Sequence, residues 1–252
     1  MTTLALYGNK GGVGKTTAAV NLAWLASQRG LTTLIVDLDP QGSASYFFRI
    51  KPRIRRGARG LTKGGKALHN SIKGTDYPSL DMLPADFSHR HLQREFSSSK
   101  RSRRRLARTV KPLGREYDLI IFDCAPTIDL VAENIFTAAQ LLLVPLVPTT
   151  LSLRSHRELL AFLEREGYDS LQVHGFLSLV DERKRLHREL AEVMRREFGG
   201  LLGSTIPYLA QVEQMGIRRE PLPAFSSRSR AALAYRALWR ELEGLIFERG
   251  GG

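Results

Sequence analysis

Cysteine is almost absent: Cys124 stands alone among 252 residues. A lone thiol cannot close a disulfide within the chain, and it fits a reducing cytosol. Long apolar runs are missing as well. The best of them, 141–148, has the length of a strand and is broken by Pro145, far short of the roughly 20 apolar residues that span a bilayer. The first residues, MTTLALYGNK, lack a basic stretch followed by an apolar run, so no secretory signal is expected. Acidic residues are scarce in one place. Between Arg49 and Arg115 there are 4 Asp+Glu against 19 Lys+Arg, which leaves 21 acidic and 19 basic residues for the rest of the chain. One stretch therefore carries the whole excess of the +13 net charge. A localised basic field points most simply to nucleic acid, with an anionic membrane or a merely solvated surface as the alternatives.

What is present is a core. Apolar residues make up 42% of the chain, enough for one large α/β domain over 1–252. Thr3 to Tyr7 reads as a first strand, and a glycine-rich loop leads into a helix over Thr17 to Arg29 that Gly30 ends. Thr33 to Asp37 is the next strand. Strand, loop, helix and strand form a βαβ unit with a right-handed crossover. Arg49 to Gly65 reads as a loop or poorly ordered segment. Further strands are expected at Leu80 to Leu83, Asp118 to Phe122, Leu141 to Leu146, Val173 to Val180 and Ser204 to Ile206. Helices are expected over Arg90 to Val110 (interrupted near Ser97 to Ser99), Ser155 to Arg165, Leu186 to Phe198 and Arg230 to Phe247. Alternating strands and helices predict a mostly parallel, twisted sheet with helices on both faces.

The loop carries chemistry. Gly8-Asn9-Lys10-Gly11-Gly12-Val13-Gly14-Lys15-Thr16-Thr17 fits G-x-x-x-x-G-K-[ST], between a strand and a helix as the phosphate-binding loop of a P-loop NTPase requires. Glycines let backbone N–H groups turn inward as a nest for phosphate oxygens, and the helix N-terminus adds positive potential. Lys15 can reach the β- and γ-phosphates of ATP, and Thr16 can offer a hydroxyl to Mg²⁺. Asp123 ends an apolar strand, where an acid can hold Mg²⁺. Asp37 and Asp39 follow another strand at the same sheet edge and are candidates for metal and water positioning.

These motifs, with Val36-Asp37-Leu38-Asp39-Pro40-Gln41-Gly42 and Ile121-Phe122-Asp123-Cys124-Ala125-Pro126, resemble the three nucleotide motifs of the ParA/MinD family of deviant Walker ATPases. Leu80 to Ala85, Asn134, Thr205 to Glu213 and Ser229 to Tyr235 extend the likeness to small Soj-like ParA proteins across nearly the whole chain; Arg49 to Arg115 matches least. The resemblance implies an ATPase using ATP and Mg²⁺ that forms an ATP-dependent sandwich homodimer. It implies that Lys10 is the signature lysine touching the partner subunit's nucleotide, that Asp39 serves hydrolysis, and that Asp123 is the Walker B acid. Gly11, Gly12, Val13, Gly14, Lys15, Thr16 and Thr17 would cradle the nucleotide, and Pro207 and Tyr208 would border its base, although the family commonly has Arg at the second of these positions. Arg218, Arg219, Arg228 and Arg230 stand where DNA-contacting residues lie. The implied biology is a cytoplasmic, nucleoid-associated protein that partitions or positions a cargo with a ParB-like or adaptor partner.

The alternatives are a MinD-like membrane-associated ATPase, an iron–sulfur reductase and a scaffold. Glu241, Glu243 and Glu248 near the chain's end would repel anionic lipid, one cysteine is too few for a cluster, and the joint presence of Lys15, Asp39 and Asp123 argues for catalysis. With no room before Thr3 for a helix-turn-helix domain, any DNA binding is expected to be without sequence preference.

Overall fold

The structure, a computed structural model, describes residues 1–51, 57–97 and 102–247. Its centre is an eight-stranded sheet in the order β3-β4-β2-β5-β1-β6-β7-β8. The strands are β1 (Thr2–Leu6), β2 (Thr33–Asp37), β3 (Lys73–Gly74), β4 (Leu80–Leu83), β5 (Leu119–Asp123), β6 (Leu141–Leu146), β7 (Gln172–Val180) and β8 (Leu201–Pro207). Every pairing is parallel except that of β3 with β4.

The central strands β2, β5 and β6 are buried along their whole length. That is why they read as unbroken apolar runs: a parallel strand covered on both faces has no wet side. Side-chain alternation then divides the core in two. Leu4 and Leu6 of β1 join Ile35, Ile121 and Leu143 on one face, while Ala5 and Tyr7 join Val36, Phe122 and Leu142 on the other. The first face is covered by α1 (Lys15–Gln28) and α12 (Arg230–Phe247). The second is covered by α3 (Ala58–Lys63), α5 (Leu92–Ser97), α6 (Arg105–Val110), α7 (Leu130–Ala138), α8 (Thr150–Arg165) and α9 (Arg185–Glu197). Shorter helices α2 (Ser43–Phe47), α4 (Lys66–His69), α10 (Ala210–Arg218) and α11 (Leu222–Phe225) complete the chain.

Several expectations are corrected here. The stretch from Arg49 to Gly65 is not all loop: α3 forms within it, held by the fully buried Leu61. Its sequence, ARGLTK, has no helical pattern of its own, so tertiary packing decides. Helix α8 begins at Thr150, five residues early, because Thr149 caps it by accepting from the Ser152 amide. Strand β8 runs three residues further back than expected. Helix α7 was not anticipated, although Asp129 accepts the amides of Val131 and Ala132 as its N-cap. The interrupted helix before Val110 is found as α5 and α6. Ser98 and Ser99 of that interruption, residues 52–56 of the basic stretch, Arg101, Glu248, Arg249 and the terminal glycines lie outside the described residues.

Helix α12 uses its apolar stripe internally. Ala231, Ala232, Tyr235, Leu238, Trp239, Leu242 and Ile246 are buried against α1 and the sheet. Glu241 on its flank accepts the Gly203 and Ser204 amides, at 2.7 and 2.8 Å, and the Ser204 hydroxyl. No described helix is long and apolar enough to cross a membrane.

Candidate functional site

Register places the site. Leu6 of β1 and Asp37 of β2 both pair with Asp123 of β5, so three strands end level and their carboxyl ends share one sheet edge. The loop from Gly8 to Gly14 leaves β1 there and turns into α1. Gly12 and Gly14 have φ of +73° and +95°, backbone that L side chains rarely adopt. At Gly14 space is also closed: a Cβ would stand 2.9 Å from Ser178 Oγ. Ser178, buried in β7, donates that hydroxyl to the Val13 carbonyl at 2.8 Å and pins the loop to the sheet.

The loop surrounds a cavity of about 370 Å³ lined by Gly11, Gly12, Gly14, Lys15, Thr16 and Thr17, with Asp39, Gln41, Ser43, Phe47, Pro126 and Leu179 opposite. Lys15 is 6% exposed and donates from Nζ to the Lys10 carbonyl at 2.7 Å. Burial lowers its pKa, against the opposing pull of Asp123, Cys124 and Asp39.

The two aspartates at the strand ends differ. Asp37 is committed: its carboxylate accepts the Ser45 amide and hydroxyl at 2.9 and 2.8 Å and the Asp39 amide at 3.2 Å. Ser45 Oγ in turn accepts the Ala85 amide, tying α2 to the end of β4. Burial pushes the pKa of Asp37 up to about 6, against those hydrogen bonds. Asp37 is thus a structural anchor of the turn that carries Asp39. Asp123 is fully buried and neither oxygen has a hydrogen-bond partner among the described residues. Burial first, then the neighbouring Asp37, raises its pKa well above the usual carboxylate range, while Thr16 and Lys15 pull it back. An orphaned carboxylate at full burial is costly unless a cation meets it. Asp39 is partly exposed at the cavity, with Oδ1 accepting the Gln41 amide at 2.9 Å.

The structure therefore brings together Gly11, Gly12, Gly14, Lys15, Thr16, Thr17 and Asp39 at one cavity, with Asp123 beneath it. Val13 is 8% exposed and contributes its backbone to the loop instead. Lys10 lines a smaller hollow of about 20 Å³ behind the loop, beside Ser152 and His156. Pro207 and Tyr208 do not line the main cavity. Pro207 pairs with Val180, next to Leu179, and Tyr208 is 55% exposed. Of the four arginines expected at DNA, Arg218 stacks over the Phe225 ring at 5.0 Å and Arg219 over Tyr46 at 4.5 Å. Arg230 pairs with Glu182 at 2.6 Å, and Arg228 is exposed.

Sequence reasoning missed Ser178, Phe47 and Leu179. Leu179 has φ +54°, where β7 slips register against β8 between Leu177 and Val180. A leucine gives no local signal for that backbone, which costs about 1–2 kcal/mol and clusters at functional sites.

Comparison with known proteins agrees with this architecture. The AAA domain family matches residues 1–169. The chromosome partitioning protein ParA of Caulobacter vibrioides is 28% identical over 247 residues, 95% of this chain and 92% of that protein. The sporulation initiation inhibitor protein Soj of Bacillus subtilis is 28% identical over 245 residues, 95% of this chain and 97% of that protein. Among solved structures, cobyrinic acid a,c-diamide synthase of Mycobacterium smegmatis with bound ATP analog and magnesium superposes with a TM-score of 0.81 at 23% identity, covering 97% of this chain and 95% of that one. The cell division ATPase MinD of Pyrococcus furiosus gives 0.78 at 21% identity, covering 97% and 99%. A phosphate-type loop on the level edge of a parallel sheet, in a chain matched this widely, is the family's hallmark: this chain belongs to the AAA domain family, in its ParA/MinD group of the small Soj-like type.

Proposed function

We propose that this chain is a ParA-like ATPase that binds Mg²⁺–ATP, dimerises around it, holds DNA without sequence preference and hydrolyses ATP to position a cargo. The observation that carries this reading is the pairing of a buried lysine with an orphaned buried carboxylate. Lys15 donates to the Lys10 carbonyl, and Asp123, close enough that each shifts the other's pKa, has no hydrogen-bond partner on either oxygen among the described residues. The donor set suits a hard divalent cation. Thr16, Asp39 and Asp123 would hold Mg²⁺, which supplies charge neutralisation at the phosphates when bound.

The chain's own groups do the rest. Glycine amides of the loop and the start of α1 bind phosphate oxygens. Lys15 leaves the Lys10 carbonyl for the β- and γ-phosphates. Asp39, held by the turn that Asp37 anchors, orients the attacking water. Lys10 reaches the nucleotide of a second copy, and loss of the γ-phosphate removes that contact, so ATP favours the dimer and hydrolysis releases it. Arg218, Arg219, Arg228 and Arg230 are candidate DNA contacts, and Pro207 and Tyr208 candidate neighbours of the base. A cargo-bound partner of ParB-like or adaptor type would stimulate hydrolysis. The chromosome-partitioning name of the ParA relative supports this reading over others. A MinD-like membrane role draws less support, because the apolar stripe of α12 is consumed in the core.

Calorimetry followed by sedimentation velocity tests the reading. The protein should take up Mg²⁺–ATP, Lys15→Ala should not, and a dimer should appear with ATP but not with ADP. A folded wild type that takes up no adenine nucleotide, or sediments identically with both, contradicts it.

A further inference from the structure

The basic stretch does not spend all its cations in the same way. Arg103 pairs with Glu133 and with Glu166. Arg105 donates to the Thr62 carbonyl at 3.1 Å and to that of Glu95 at 2.5 Å, and Arg59 pairs with Glu95. These arginines are mortar: they hold α3, α5 and α6 to one another and to α7. Asn134 completes the joint, its buried Oδ1 accepting the Arg105 and Leu106 amides at 3.0 and 3.1 Å while its Nδ2 donates to the Leu130 carbonyl.

Six of the remaining cations gather on and beside α6. Arg104, Arg108, Lys111 and Arg115 are spaced by four, three and four residues through α6 and the 3₁₀ turn that follows it over Lys111–Arg115. Arg104 caps α6, Arg108 lies one α-turn along it, Lys111 and Arg115 sit in the 3₁₀ turn, and all four are exposed. Between them Leu106, Thr109, Val110 and Leu113 are all buried. Lys63 and Lys66, both exposed, flank Gly64, which lies against α6: a Cβ there would meet the Thr109 methyl at 3.4 Å. None of these six has an ion-pair partner among the described residues. Glu116, just past the end, faces His69 at 3.6 Å.

We infer that this α3–α6 ridge is the main seat of double-stranded DNA, gripping its phosphate backbone; the inference rests on the DNA-binding reading above and gives it a surface. Two observations choose the partner. A membrane-surface element needs large apolar side chains beside its cations, and among the described residues the exposed large apolar ones, such as Tyr46, Ile128, Leu151 and Ile217, all lie outside 57–115. Single strands are held by aromatic side chains on which bases stack, and no Phe, Tyr or Trp whose side chain is described in 57–115 is exposed. A dry-sided row of cations over about 16 Å of helix matches the regularly spaced charge of a duplex. By contrast, Arg218, Arg219 and Arg230 are already engaged by Phe225, Tyr46 and Glu182.

Fluorescence anisotropy with a labelled duplex of random sequence, Mg²⁺–ATP and a salt series tests this on the full chain. Changing Arg104, Arg108, Lys111 and Arg115 to Gln should weaken binding at least tenfold and reduce the slope of log affinity against log salt by about 3. Lys63→Gln with Lys66→Gln should act in the same direction, and both variants should keep the wild-type rate of ATP hydrolysis without DNA. Arg228→Gln with Arg230→Gln should cost less. Equal affinity and equal slope in the four-fold variant, with a wild type that binds duplex, overturn the inference alone. A wild type that binds no duplex with any nucleotide overturns the DNA-binding reading with it. Tighter binding to single-stranded RNA, or to phosphatidylglycerol vesicles in a cation-dependent way with duplex affinity unchanged by the substitutions, also overturns it.

Discussion

Gly14 is the residue on which the phosphate loop turns. Two demands meet there: a φ of +95° and a wall, Ser178 Oγ, 2.9 Å from where a Cβ would be. Gly14→Ala should therefore displace either the loop or Ser178 and break the 2.8 Å bond to Val13. The expected result is a stability loss of about 1–3 kcal/mol from backbone strain and the broken bond. Nucleotide affinity should fall more than tenfold, read by denaturant titration and calorimetry; near-wild-type affinity would show that the loop does not need this geometry. At this scale the sequence was most legible. The glycine pattern, Lys15, Thr16 and the strand-end aspartates could be picked out because each residue type is dictated by local chemistry. The division of labour between Asp37 and Asp123 could not be, since it depends on Ser45 and Ala85, eight and 48 positions along from Asp37.

At the scale of elements, legibility followed burial. Strands β2, β5 and β6 announce themselves as apolar runs, and α1 and α12 carry helical spacing. Helix α3 does not, because two of its buried residues are Gly60 and Thr62 and only the small Ala58 and Leu61 give it apolar anchors. Strand β8 was read short because its first three residues are not fully buried. It lies at the edge of the sheet, where unpaired amides invite other chains to pair. Glu241 of α12 answers this by accepting the Gly203 and Ser204 amides. Glu241→Ala should cost about 2–4 kcal/mol, because two amides and a hydroxyl lose a charged acceptor. Hydrogen exchange should quicken at residues 203 and 204, and the variant should aggregate more readily; unchanged exchange there would refute the role.

At the scale of the whole molecule, two of the buried histidines, His89 and His156, give the fold an acid-labile component. His156 packs edge-on against Phe198, 4.4 Å between ring centres, and His89 lies under the 3₁₀ turn of Phe87–His91; each is 4% exposed. Burial lowers both to about 4 from the ordinary 6.5, Asp86 opposing this at His89. A depressed histidine binds its proton more readily in the unfolded chain. Their contribution is therefore complete above about 6.5 and is lost as pH drops towards 4, by on the order of 3 kcal/mol per histidine at pH 4. Asp37 and Asp123, whose pKa values burial raises, act with the opposite sign, so the histidine contribution is read by difference: the urea midpoint of His156→Phe relative to wild type should rise between pH 7 and pH 4.5. An unchanged difference at the two pH values would contradict this account. Such long-range burial is beyond a sequence, which shows six histidines and no way to tell which of them are buried.

Cys124 follows Asp123 at the end of the central strand β5 and is 1% exposed, its thiol pushed well above its usual range by burial and by the adjacent carboxylate. A sulfur so placed is chemically silent while the sheet is closed. It becomes a clock when the sheet opens: the speed of its alkylation counts how often the middle of the molecule parts, and any nucleotide that clamps the loop above it should slow that ticking.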